Sequence, residues 1–230
     1  MATQTSQLTL ELPEPARWGG RRPGAGRKRQ PDSDVPHRSR PKFSTAPSHV
    51  TLRVRSGVPS LRTSRVVREV EASFSRGRAR PGFRLVHYSL QTNHVHLVVE
   101  SRNRVALGRG MMAICGRLAR AVNRALGRSG KVFADRYHLH VLKTPREVHH
   151  ALRYVLLNGR KHGRNLSRVV RLDPASSARW FDGWRRTSRT RVVAPKGPAP
   201  TIVPVARART WLLTTGWRRH GLIDPGDVPG

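Results

Sequence analysis

The run Gln91-Thr92-Asn93-His94-Val95-His96-Leu97-Val98-Val99-Glu100 places two histidines two residues apart. Alternate side chains of a β-strand leave the same face, so the two imidazoles stand about 6.6 Å apart along the strand and can converge on one cation. Val95, Leu97 and Val99 point the other way, toward a core. About sixty residues later, a helix read over 147–161 carries His150, Tyr154, Asn158 and Lys161 as one polar stripe. Val148, Ala151, Leu152 and Val155 form its packing side, and Tyr154 and Asn158 face together one turn apart. A phenol of ordinary pKa, near 10, needs help to attack at neutral pH. A cation held by two neutral imidazoles can polarise and orient a phosphate for in-line attack by that phenol. The histidine pair and the helical tyrosine are therefore two halves of one candidate site.

Other groups compete for these roles less well. His138-Leu139-His140 repeats the spacing but lacks the hairpin entry and the apolar run that follow His96. Glu100 shares a face with His94 and His96 but lies about 13 Å beyond His96 on an extended strand, too far to be a ligand. A histidine-triad hydrolase would need a third alternate histidine where Val98 stands. His149 and His150 read as solvent-facing.

The elements that must position the site follow from periodicity. His49 to Arg55 alternates as a half-buried strand, ended by Gly57 and Pro59, and Leu61, Val66, Val67, Val70 and Phe74 mark an amphipathic helix over about 60–76. Phe83–Leu90 and His94–Glu100 read as strands joined by a tight hairpin across Gln91-Thr92-Asn93. A longer helix covers about 103–127, and 131–143 reads as a strand. Thr144-Pro145-Arg146-Glu147 supplies an N-cap, a first-turn proline and a first-turn acid for the last core helix. The order β-α-β-β-α-β-α predicts an α+β fold, a ferredoxin-like antiparallel sheet with packed helices and one extra helix.

The chain has 230 residues and a formal net charge of +32, from 45 Lys+Arg against 13 Asp+Glu. That excess is not confined to the ends: residues 49–164 hold 24 Lys+Arg and 5 Asp+Glu. Such a surface suits phosphates, so nucleic acid is the expected partner. No run approaches a membrane span or a secretory signal, and a soluble, cytoplasmic, nucleoid-associated protein is expected. The single Cys115 excludes an internal disulfide and a cysteine-built zinc site. Residues 1–47 read as a disordered basic arm, 48–165 as the catalytic domain, and 166–230 as an extension holding a proline-rich linker and four of the five tryptophans. Those tryptophans either anchor the extension or stack on unpaired bases.

The Asn93–Val99 run, the stretch Val132-Phe133-Ala134-Asp135-Arg136-Tyr137-His138 and the helix Tyr154-Val155-Leu156-Leu157-Asn158 together resemble the single-tyrosine HUH transposases, within them most the REP-associated tyrosine transposases. The resemblance covers about residues 48–165. It implies His94, His96 and Asn158 as ligands of a divalent metal, Mg²⁺ or Mn²⁺, and Tyr154 as the nucleophile toward single-stranded DNA flanked by a hairpin or inverted repeat. It further implies a 5′-phosphotyrosine intermediate, a free 3′-hydroxyl and no need for ATP; a homodimer exchanging catalytic helices is one arrangement it allows. Many relatives carry glutamine at the position of Asn158 and proline at that of Gly159. The basic residues expected on DNA are Arg21, Arg22, Arg27, Lys28 and Arg29 of the arm, with Arg53, Arg55, Arg136, Arg153 and Lys161 of the domain. The rival readings are a catalytically inactive hairpin-binding protein of the same fold and a structural RNA-binding protein akin to ribosomal components.

Overall fold

The computed structural model describes residues 45–160, 169–185, 191–195 and 200–227. Strand β1 (Ala46–Arg53) sends Val50 and Leu52 to one side and His49, Thr51 and Arg53 to the other. Helix α1 (Ser64–Ser75) starts at Thr63, whose hydroxyl accepts from the Val66 amide at 3.4 Å, and buries Val66, Val67, Val70 and Phe74. After the two-residue strand β2 (Ala79–Arg80), β3 (Phe83–Leu90) and β4 (His94–Ser101) form the expected hairpin. Helix α2 (Arg104–Leu126) is capped by Asn103 at one end and by Gly127 at the other, where φ is 60° and a side chain would be strained. Gly110 lets α2 settle on the sheet, since a Cβ there would stand 2.2 Å from the Phe83 ring.

The sheet order is β2-β3-β4-β1-β5, antiparallel throughout. Apart from the short β2, this is the split βαβ order of a ferredoxin-like fold, as the sequence predicts. One face carries Val50, Leu52, Leu85, Tyr88, Val95, Leu97 and Val99 against α1 and α2. The other carries Val86 and Val98 against α3 (Pro145–Leu157) and the C-terminal elements. Cover on both faces explains why every residue of β4 from Val95 to Ser101 is buried.

Two expectations change. The strand read over 131–143 is only His138–Val141, β5, with Phe133 bridging singly to Val54. The chain bends at Ala134 and Asp135, with Asp135 accepting the Arg136 amide at 2.6 Å, and pairing with β1 resumes only at His138. Helix α3 begins at Pro145, the first helical position the cap residues mark, but ends at Leu157 rather than about Lys161, passing into a single 3₁₀ turn, Asn158–Arg160. Its start is the predicted capping box, with Thr144 and Glu147 satisfying each other's backbone amides.

Beyond the family-like region, β6 (Val169–Arg171) pairs in parallel with β7 (Arg191–Val193), and α4 (Trp211–Thr214) leads into a 3₁₀ turn, Gly216–His220. Trp217, 1% exposed, packs within the cluster that holds α3. Trp184 donates its indole N–H to the Ala178 carbonyl at 3.0 Å, whereas Trp211 is 49% exposed. Among the described residues no helix is long and apolar enough to cross a membrane.

Candidate active site

Helix α3 lays its apolar stripe, Val148, Ala151, Leu152 and Val155, on the sheet face that β4 shares with β1 and β3. That docking brings Tyr154 over the histidine pair of its own chain. The Tyr154 and His96 ring centroids are 5.0 Å apart in an edge contact at 78°, and His94 and His96 are 4.6 Å apart at 80°. The two predicted halves therefore meet. Tyr154 is half-buried, while His96 is 4% exposed and His94 half-buried. Asn158 is 5% exposed, one turn beyond Tyr154 where α3 gives way to the 3₁₀ turn. Next to it, Gly159 lies against Asp173: a Cβ there would stand 2.2 Å from Oδ2. Asp173 is itself held by a two-pronged ion pair with Arg62, at 2.8 and 3.0 Å. Gly159 thus suits this neighbour.

A third histidine belongs to the site that the spacing argument did not select. His49 Nε2 lies 3.1 Å from His96 Nδ1, and Thr51 Oγ1 lies 3.2 Å from the same atom. The His49 ring also touches Tyr154 edge-on, with centroids 5.9 Å apart. Register explains the meeting, because Thr51 is the direct partner of His96 on the neighbouring strand and His49 is the next same-face residue. Burial, with His140 and then His138 beside it, pushes His49 down to about 4, so its ring is neutral at pH 7. Burial also holds His94 below the ordinary histidine value. Asn93 Oδ1 lies 2.8 Å from His94 Nδ1. A carbonyl oxygen only accepts, so this contact favours the neutral tautomer with its proton on Nδ1 and its lone pair on Nε2. The alternation of His49, Thr51 and Arg53 had marked a polar strand side, but not which strand it would adjoin.

The remaining predicted residues divide. Arg53 is exposed and is the direct partner of His94, so it flanks the histidine pair on the same face. Arg55 and Arg136 are exposed, while Arg153 is half-buried and pairs with Asp227 at 3.2 Å. Arg21, Arg22, Arg27, Lys28, Arg29 and Lys161 lie outside the described residues. Glu100 is spent elsewhere, accepting from the Arg209 and Thr210 amides and the Thr210 hydroxyl at 2.7–2.9 Å. His138 and His140 are exposed on the edge strand, opposite Thr51 and His49. His149 is not simply solvent-facing: its ring is half-buried and near those of Trp217 and His220, at 6.2 and 6.0 Å.

The model of the IS200-like transposase family matches residues 42–156, half of the chain. The chain belongs to that family. The match runs from β1 to the penultimate residue of α3, taking in His49, Thr51, His94, His96 and Tyr154 and ending two residues before Asn158. Membership makes this IS200-like transposase a DNA-processing protein in broad role. Nine solved chains are similar to it. One, a REP-associated tyrosine transposase bound to a REP hairpin, is 17% identical over 55% of this chain and 74% of its own, with a TM-score of 0.43. Another, a Deinococcus radiodurans R1 protein described as a transposase, is 15% identical over 46% of this chain and 86% of its own, with a TM-score of 0.37. No curated protein matches the IS200-like chain.

Proposed function

We propose that the protein is a metal-dependent nickase and strand transferase of single-stranded DNA flanked by a hairpin, acting through Tyr154. The observation that carries this reading is the Tyr154 ring, 5.0 Å from that of His96, beside a pair of histidines 4.6 Å apart. The donor chemistry fits a divalent ion. His94 has its Nδ1 proton directed at Asn93, and ligation through His96 Nε2 requires the proton on Nδ1, which then donates to His49 Nε2 or Thr51 Oγ1. Among the described residues no three His, Cys, Asp or Glu side chains converge on one point, so a third protein donor would come from another residue type, for which the Asn158 amide is suited. Mg²⁺ and Mn²⁺ both accept phosphate oxygens, and Mn²⁺ tolerates imidazole well. When bound, the ion polarises and orients the scissile phosphate.

In the reaction Tyr154 loses its phenolic proton and its oxygen bonds to phosphorus, while the bond from phosphorus to the 3′-oxygen breaks. The products are a 5′-phosphotyrosine and a free 3′-hydroxyl, and attack by a 3′-hydroxyl on the phosphotyrosine rejoins a strand. Polarity tests this directly. With Mn²⁺, a strand labelled at its 3′ end yields labelled protein, and the label maps to the peptide holding Tyr154. The same strand labelled at its 5′ end yields a shorter free oligonucleotide. Hairpin binding with no adduct under any divalent ion would instead establish the inactive binding protein.

His49 acts here as a positioning residue. His49→Ala is expected to weaken Mn²⁺ binding, followed by electron paramagnetic resonance, by roughly 10–100-fold. His49→Gln, which restores an acceptor near Nδ1 of His96, should recover part of that affinity. Equal Mn²⁺ affinity in all three proteins would remove His49 from the site.

A further inference from the structure

At the far end of the sheet, two adjoining clefts share Arg80, Pro81 and Arg102. The larger also takes in Arg84 and Arg209, and the smaller takes in Arg109. Five guanidinium groups thus line one continuous groove. Its single carboxylate is Glu100, whose oxygens are occupied by the Arg209 and Thr210 amides and the Thr210 hydroxyl. Among the described residues no ion pair joins these five arginines to any acid. The groove is also firmly built. Gly82 turns β2 into β3 at a φ of 72°, and its carbonyl accepts the Arg102 amide at 2.9 Å. Accepting the Arg209 and Thr210 amides, Glu100 fastens the C-terminal segment to the end of β4. Five arginines against one carboxylate leave a net positive excess on this frame, positioned before any anion arrives.

We infer that this groove is a second DNA-binding surface, separate from the Tyr154 site, gripping the phosphate backbone of a paired stem. The inference rests on the DNA-processing reading of the active site. Three observations select the occupant. Arginine forks match phosphate oxygens in geometry as well as charge. The one aromatic ring along the groove, Phe83, is 1% exposed and offers no platform on which unpaired bases can stack. Finally, His94 opens β4 while Glu100 and Ser101 at its end line the groove, so the groove lies about 13 Å from His96 and about 23 Å from His94 along an extended strand, or about four to seven steps of a DNA duplex. A strand at the active site and a stem in the groove are thus far enough apart to be held at once.

The test uses the full chain, a hairpin with a single-stranded flank, and poly-dT. Binding is measured against salt for the wild type, for Arg80→Gln/Arg102→Gln/Arg109→Gln, and for a charge-matched control on the exposed helical surface, Arg65→Gln/Arg68→Gln/Arg120→Gln. On the hairpin, the groove variant should lower the slope of log affinity against log salt by about 0.9 for each phosphate it no longer neutralises, some 2–3 in all, and the control should not. Arg80→Lys/Arg102→Lys/Arg109→Lys should keep most of the slope, which separates an effect of charge from one of misfolding. Adduct formation at saturating hairpin should match the wild type. An unchanged slope in the groove variant, an equal fall in the control, or a fall seen only on poly-dT overturns the inference. Should no protein form an adduct while the slope of the groove variant still falls, the groove stands and the catalytic reading fails.

Discussion

Tyr154→Phe abolishes the covalent protein–DNA adduct and lowers strand nicking by at least about 10³-fold, while the melting temperature stays close to that of the wild type. The asymmetry follows from what the substitution removes. Phenylalanine keeps the ring that meets His96 and His49 edge-on, at 5.0 and 5.9 Å, and so preserves the packing on that side of α3. It deletes the hydroxyl that the proposed reaction bonds to phosphorus. His49, His94 and His96 also surround the site, but an adduct on one of them would be a phosphoramidate, labile in acid where phosphotyrosine persists. Denaturing gels of Mn²⁺ reactions, repeated after mild acid, separate the cases. A persistent, acid-stable adduct in Tyr154→Phe would mean that another hydroxyl is the nucleophile.

Trp217→Ala costs about 3–5 kcal/mol of folding stability, the ordinary cost of emptying a large aromatic site in a core. Trp217 is 1% exposed, its indole N–H donates to the Leu213 carbonyl at 3.1 Å, and its ring packs against Phe181 with centroids 5.4 Å apart. Gly183 sits directly on the ring, where a Cβ would come within 2.2 Å. The cluster around it includes Val148, Leu152, Val155 and Leu156 of α3, so the same change should loosen the helix that carries Tyr154. Trp211, 49% exposed beneath the Arg219 guanidinium at 4.9 Å, serves as the comparison, and Trp211→Ala should cost about 1 kcal/mol or less. Urea titration measures both. If Trp217→Ala lies within about 1 kcal/mol of the wild type, the C-terminal segment contributes little to holding α3.

These two residues differ in how far the sequence reveals them. Tyr154 is legible because its helix announces itself: Thr144, Pro145 and Glu147 mark the start, and the Val148–Val155 stripe marks the buried side. Trp217 is not, because its neighbours Phe181 and Leu213 come from other segments whose order of packing no local pattern records. The same contrast separates the alternate histidines from their partner. His94 and His96 lie on one strand, where a two-residue spacing is itself a geometry. His49 reaches His96 only across a strand boundary, from a segment 47 residues away. The stretch 131–143 is interrupted for a smaller reason: four residues, 134–137, stand opposite only two of β1 between the Phe133–Val54 bridge and the His138–Thr51 pair, so the run bends there.

Local periodicity by itself determined the order of the core elements, the cap of the tyrosine helix and the shared faces of His94 with His96 and of Tyr154 with Asn158, because alternation and helical repeat are set by neighbours along the chain. Tertiary structure alone decided the register of β1 against β4 and β5, which sets Thr51 opposite His96, brings His49 to the same ring and leaves His138 and His140 on the edge. It also decided that Glu100 faces the C-terminal segment and that five arginines from separate stretches line one groove. Cross-strand register and the course of the C-terminal segment depend on burying apolar surface from distant residues together, and that balance is struck only when the whole chain closes.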